Sequence, residues 1–249
     1  MDNSLLVSLS QQLAAYRAMD VIANNLANAS TPGFKREAAK FEEYITKLRP
    51  AEGQKGPQSM SFVKDAGVMR DSSQGNLDQT GATYDLALAG KGFFQVQTAQ
   101  GMRYTRDGHF SLDANGNLVT SEGHQVQGDG GAITITPTDG QISISTDGMI
   151  SSVVNGVGNQ LGRVKVVDFA DTSAMTKTGA NLYSTDQAAI APDKINLRQG
   201  ALESSNVQPV IEISHMIEVM RAYEATATLS KSQEDMMRSA IDKLGTTPN

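Results

Sequence analysis

The feature that most constrains this chain is a repeating step of three and four residues at both ends, and its absence in between. Near the start, Leu5, Leu9, Gln12, Tyr16, Met19, Ala23 and Leu26 are spaced 4-3-4-3-4-3, and all but Gln12 are apolar. Near the end, Ile213, Met216, Met220, Tyr223, Ala227, Ser230, Glu234, Met237, Ile241 and Leu244 run 3-4-3-4-3-4-3-4-3, broken only by Ser230 and Glu234. Such spacing is that of helices winding around partners. It predicts a helix over 3–28, capped by Asn3 or Ser4, and another over 209–244. At 1.5 Å per residue these are ~39 Å and ~54 Å long. Pro209 suits a first helical turn and Gly245 a stop. The small and polar residues in both seams let helices approach closely but bury little area, so the helices depend on packing. Two readings follow: ordinary amphipathic helices laid on the middle domain, or ends that pair as a coiled coil apart from it. The sustained 3-4 spacing favours the second.

The middle reads as β. Segments 92–98, 102–106, 109–113, 117–120, 132–136, 141–145 and 163–169 are short, and many alternate apolar with polar. Asp107-Gly108, Asn115-Gly116, Asp129-Gly130, Asp139-Gly140 and Asp147-Gly148 punctuate them, as tight antiparallel turns require. Residues 31–75 read as an extended connector, polar over 49–59, and 204–210 as a second connection. The expected fold class is α+β: paired N- and C-terminal helices (1–30 and 205–249), the connector 31–75, and a central, mainly antiparallel β domain (76–204).

Chemistry is sparse. There is no cysteine, so thiolate sites, Cys nucleophiles and disulfides are excluded. A net charge of −6 argues against nucleic acid. No stretch approaches the ~20 apolar residues that span a bilayer, and the N-terminus lacks the basic and apolar regions of a secretory signal. His109, His124 and His215 have no ligand spacing. The loop of Asp113, Asn115 and Asn117 begins like a calcium loop, but Leu118 stands at its sixth position and His124 at its twelfth. It reads as a hairpin. Gly90 and Gly92 lack the third glycine and the helix of a nucleotide loop; they read as a bend admitting Phe93 and Phe94 to the core. Asp85, Asp107, Asp113 and Asp168 form no pair for glycoside chemistry. The residues point to no cofactor, no metal and no enzyme. A rival reading, a monomeric adhesive or carbohydrate-binding β domain, lacks the tryptophan that sugars stack on.

Three stretches carry a resemblance. DVIANNLANASTPGFKRE (20–37) resembles the N-terminal signature of the flagellar axial proteins that build the rod and hook. Residues 80–128, TGATYDLALAGKGFFQ and onward, resemble their shared β domain, and 199–245 their C-terminal signature. Within the family the start and length are most similar to proximal-rod members, with distal-rod members next. The resemblance implies a structural subunit exported through the flagellar type III apparatus without a cleaved signal. It implies assembly with its own copies and other rod proteins into a helical shaft that carries motor torque across the periplasm. Helices would form the inner (D0-like) layer and β domains the outer (D1-like) one.

The residues expected at subunit interfaces are Leu5, Leu9, Tyr16, Met19, Leu26, Phe34, Ile213, Met216, Met220, Tyr223, Met237, Ile241 and Leu244. With them go the polar Asn24, Asn25, Asn28, Ser205 and Asn206. The three asparagines stand where a helix ends, and side-chain amides both donate and accept. They are expected to bond the connector, the Ser205-Asn206 corner or the next subunit.

Overall fold

A computed structural model describes residues 2–48, 58–136, 139–154 and 157–245. The chain forms two units. The helical unit holds residues 1–27, 37–71 and 208–249; the β unit holds 28–36 and 72–207.

In the helical unit, α1 (Asp2–Ala27) and α2 (Pro209–Gly245) are the two ends read from the 3-4 spacing. Pro209 occupies the first turn of α2, and the Gln208 carbonyl accepts the amides of Ile211 and Glu212 at 3.0 and 3.1 Å. Between the helices in sequence lie β1 (Glu37–Leu48) and β2 (Gln58–Arg70), which pair antiparallel as a long hairpin. Residues 31–75 are therefore not an extended connector. Residues 37–71 fold with the helices, 28–36 fold with the β unit, and most of the polar stretch 49–59 lies outside the described residues. The hairpin is not alternating in sequence, and its register shifts between Ala39 and Phe41.

α1 contacts α2 and both strands of the hairpin. The inward column of α2 differs from the apolar seam by one position. Glu212, Met216, Val219, Thr226, Ala227, Ser230, Gln233 and Met237 are buried or partly buried, while Ile213, Met220, Ile241 and Leu244 are exposed. The two columns share Met216, Ala227, Ser230 and Met237. The other inward positions include Glu212, Thr226 and Gln233, so the more apolar column is the one left open.

The β unit contains β3 (Leu77–Gln79), β4 (Leu86–Leu88), β5 (Phe93–Thr98), β6 (Gly101–Thr105), β7 (Phe110–Leu112) and β8 (Leu118–Thr120). It continues with β9 (Gln125–Gly128), β10 (Gly131–Ala132), β11 (Gln141–Ile144), β12 (Met149–Val154), β13 (Val157–Arg163) and β14 (Val166–Val167). It closes with β15 (Thr176–Gly179), β16 (Leu182–Ser184), β17 (Leu197–Gln199) and β18 (Ala201–Glu203). A nine-stranded sheet has the path β15-β16-β6-β5-β9-β8-β7, with β10 beside β9 and β14 beside β5. A three-stranded sheet β11-β12-β13 and the pairs β17-β4 and β18-β3 complete it, and every pairing is antiparallel. The strands expected over 132–136 and 163–169 are shorter, reduced to β10 and β14 with isolated bridges at Thr134, Val164 and Asp168.

β5 is buried on both faces, which is why it does not alternate. Phe94 and Val96 enter the main core with Leu86, Phe110, Leu118 and Ile150. Phe93 enters a second cluster with Phe169, Met175 and Tyr183. Phe94 and Phe110 meet edge to face at 5.2 Å, a geometry aromatic quadrupoles favour. Asn115-Gly116 and Asp147-Gly148 do turn the hairpins β7-β8 and β11-β12, with Gly116 and Gly148 in the left-handed region.

Candidate functional site

The chain passes between the two units at 27/28, 36/37, 71/72 and 207/208. Within each unit a buried polar network ties together the segments that enter these passages.

In the helical unit the centre is Asn25, which is 0% exposed. Its Oδ1 accepts the Glu37 amide at 2.9 Å, and its Nδ2 donates to the Glu37 carbonyl at 2.7 Å. One side chain thus satisfies both backbone groups of the residue opening β1, as a neighbouring strand would. The second Nδ2 hydrogen goes to Glu212 Oε2 at 3.0 Å, on the first turn of α2. The Glu37 carboxylate pairs with Arg70 at the end of β2, at 3.4 Å. Four segments distant in sequence are thereby joined around one amide.

In the β unit the centre is Glu203, 1% exposed. Its Oε1 accepts Lys35 Nζ at 2.5 Å and the Gly75 amide at 3.1 Å, and its Oε2 faces Arg106 Nη1 at 3.4 Å. Lys35 also donates to the Ser73 carbonyl at 2.7 Å, and Arg106 to the Gly90 carbonyl at 2.7 Å. Burial pulls the Arg106 guanidinium below its ordinary pKa, against the opposing field of Glu203 first and Asp168 next. It remains a cation. Asn206 adds a second tie: its Oδ1 accepts the Arg36 amide at 2.7 Å and its Nδ2 donates to the Ser73 carbonyl and hydroxyl, both at 3.1 Å. Removing one partner of such a buried pair costs about 3–5 kcal/mol, because the other charge is left in a poor solvent.

Gly33 is what lets the segment approach this closely. Its φ is +67°, and a Cβ there would lie 2.4 Å from the Arg106 carbonyl carbon and 2.6 Å from the Asp107 amide. Its amide donates to the Glu203 carbonyl at 2.6 Å. Phe34 beside it is 1% exposed and lies beneath Lys177, whose Nζ is 4.0 Å from the ring centroid.

The third element is an open apolar surface on the helical unit. On α1, Leu6, Leu9, Leu13 and Tyr16 follow a 3-4-3 step and are each about half exposed or more. On α2, Ile213, Ile217 and Met220 do the same. The Asn25–Glu212 contact sets the C-terminal end of α1 against the first turn of α2, so the 26 residues of α1 run out before the last turns of the 37-residue α2. Met236, Ile241 and Leu244 lie in those last turns and are 62–79% exposed. Scattered apolar side chains on a surface are ordinary, but aligned stripes of this kind mark interaction surfaces.

Comparison with known proteins accounts for this combination. Residues 5–35 match the family "Flagella basal body rod protein", 87–152 "Flagellar hook protein FlgE/F/G D1 domain", and 198–243 "Flagellar basal body rod FlgEFG protein C-terminal". The flagellar basal-body rod protein FlgF of Caulobacter vibrioides is 43% identical over 98% of this chain and 99% of its own length. This chain belongs to the flagellar basal-body rod protein family. The rod protein FlgG of Buchnera aphidicola is 37% identical over 91% of this chain and 93% of its own. FlgF of Mesorhizobium japonicum is 34% identical over 98% and 99%. The chain is most like FlgF. The first match, 5–35, runs from α1 to Lys35, and the last, 198–243, runs from β17 through Glu203 and Glu212 into α2.

The residues singled out from sequence separate accordingly. Asn25 is buried inside its own unit, bonded to Glu37 and Glu212, so its amide serves the fold of the subunit itself. Asn28 accepts the Thr31 amide at 3.1 Å and hydroxyl at 3.2 Å, turning the chain out of α1. Asn24 is exposed. Asn206 binds Arg36 and Ser73, and the Ser205 hydroxyl accepts the Val207 amide at 3.2 Å. Phe34 is a core residue of the β unit. Leu9, Tyr16, Ile213, Met220, Tyr223, Ile241 and Leu244 are exposed, while Leu5, Met19, Leu26, Met216 and Met237 are partly buried. Sequence reasoning missed Lys35, Glu37, Arg70, Arg106, Glu203 and Glu212. The available signal was a charge set directly against an apolar run, as in Phe34-Lys35 and Ile211-Glu212-Ile213. Among the described residues no cluster of His, Asp and Glu has the makings of a metal site, and no helix is long and apolar enough to cross a membrane.

Proposed function

We infer that this chain is a structural subunit of the flagellar rod, a proximal-rod component, and not an enzyme. It polymerises with its own copies and other rod proteins into the helical drive shaft that carries motor torque across the periplasm. The observation that carries this reading is the inverted helix pattern. α2 turns Glu212, Thr226 and Gln233 inward and leaves Ile213, Ile217 and Met220 open, and a helix does that when its apolar face belongs to a neighbour.

On this reading α1 and α2 pair as a coiled coil in the inner layer, and neighbouring copies cover the open stripes through repeating heterologous contacts. The β unit, with its own closed core, stands in the outer layer. Passage through the flagellar type III export apparatus, without a cleaved signal, agrees with a cysteine-free chain that travels unfolded. Among rod proteins the full-length similarity to FlgF relatives supports the proximal position over the distal one of FlgG.

The test is a charge on the open face. Leu13→Glu and Ile217→Glu should each abolish swimming and rod assembly while the purified chain keeps the thermal unfolding of its β unit. Normal rods in both variants would overturn the reading.

A further inference from the structure

Residues 28–36 have an unusual status. Ala27 before them and Glu37 after them belong to the helical unit, yet the segment folds with the β unit. It joins no strand ladder and forms no helix. It is held instead at discrete points. The Pro32 carbonyl accepts Asn181 Nδ2 at 2.8 Å, the Gly33 amide donates to the Glu203 carbonyl, Lys35 donates to the Glu203 carboxylate, and the Arg36 amide donates to Asn206. Phe34 is the single apolar plug, covered by Lys177. Lys177 belongs to β15, the edge of the nine-stranded sheet, and Asn181 to the turn between β15 and β16.

We propose that residues 28–36 form a latch on the β unit, docked through the Glu203 carboxylate and Asn206 and able to release without unfolding the sheets. A ladder strand cannot leave without exposing a row of backbone groups to repair. A segment held by one carboxylate, one backbone carbonyl, two side-chain amides and one ring leaves few orphans. Its consequence for the rod builds on the function proposed above: latch docking is the step that couples ordering of the helical unit to an already folded β unit.

Amide exchange on the purified full-length chain tests the latch apart from the rod reading, because it needs no assembly. In Glu203→Gln the amides of Gly33, Phe34 and Arg36 should exchange about tenfold faster or more, the change one charge-assisted hydrogen bond is worth. Those of Val96 in β5 and Val119 in β8 should hold their wild-type rates. Should Glu203→Gln fail to fold, Asn206→Ala, which leaves the buried charges paired, should give the same local loss at Arg36. Equal acceleration in the latch and the strands, or no change in the latch, overturns the proposal. Loss of swimming has no bearing on that result, so the latch and the rod function can fail separately.

Discussion

Replacing Asn25 removes the amide that joins α1, β1 and α2. Asn25→Ala removes one hydrogen bond from each of three groups: the Glu37 amide, the Glu37 carbonyl and one oxygen of the fully buried Glu212. A lost neutral hydrogen bond costs about 1 kcal/mol and one to a carboxylate about 2, so the sum is ~4 kcal/mol. That is a large share of the roughly 5–15 kcal/mol that holds a typical domain together. It also corresponds to about a thousandfold in an equilibrium constant. If the helices order on assembly, the loss falls on the assembly equilibrium rather than on the melting of the free chain. The expected outcome is absence of rods in basal bodies isolated from cells carrying Asn25→Ala, with the β unit melting normally. Asn25→Leu separates polarity from volume: it fills the site but loses the same three hydrogen bonds, and it should fail as badly. Wild-type swimming in Asn25→Leu would refute the reasoning, since packing alone would then account for the position.

Two further outcomes follow from the structure. Burial raises the Asp107 pKa above its ordinary value, opposed by the His109 amide that its Oδ1 accepts at 2.9 Å. The folded chain therefore holds that proton more tightly than the unfolded one, and the stability it contributes is complete below about pH 3.9 and lost as pH rises through the folded pKa. Asp107→Asn, which keeps the acceptor, should raise the unfolding temperature at pH 7, with the gain vanishing below about pH 4 in a pH series of melting curves. In the free subunit α1 and α2 should exchange amide hydrogens fast while β5, β6, β8 and β9 are protected, because only Glu212 among the described side chains of α2 is buried; mass-resolved exchange on the monomer reads this directly.

The ends of the fold were legible because helix spacing and its stop signals are local. The predicted 3–28 and 209–244 differ from α1 and α2 by a residue or so at each end. Hairpins turned by Asn115-Gly116 and Asp147-Gly148 were legible for the same reason: the glycine supplies a backbone conformation that the turn requires. The hairpin β1-β2 was not, because EAAKFEEYITKL is charged, lacks clean alternation and finds its partner across a bulge. Nor were β17 and β18, three residues each, whose partners β4 and β3 lie more than a hundred residues away. The networks at Asn25 and Glu203 follow from those distant pairings. Sequence could nominate Asn25 as a side chain with bonds to make, but could not place Glu37 and Glu212 around it. The one-position shift of the α2 seam had a different origin. Reading apolar residues as inward assumes that a chain closes its own core, and this one leaves part of that work to its neighbours.

The most direct test of that claim uses the absence of cysteine. A single Leu13→Cys or Ile217→Cys introduces the chain's only thiol on the open face, and Ser111→Cys places one on an exposed strand of the β unit as a reference. Oxidising basal bodies isolated from swimming cells should then link the helical-face variants to a neighbouring rod subunit with a matching engineered cysteine. The account predicts linked species only in assembled rods and not in the purified monomer. Rods in which neither Leu13→Cys nor Ile217→Cys can be linked, with both thiols freely labelled by a bulky maleimide, would contradict it.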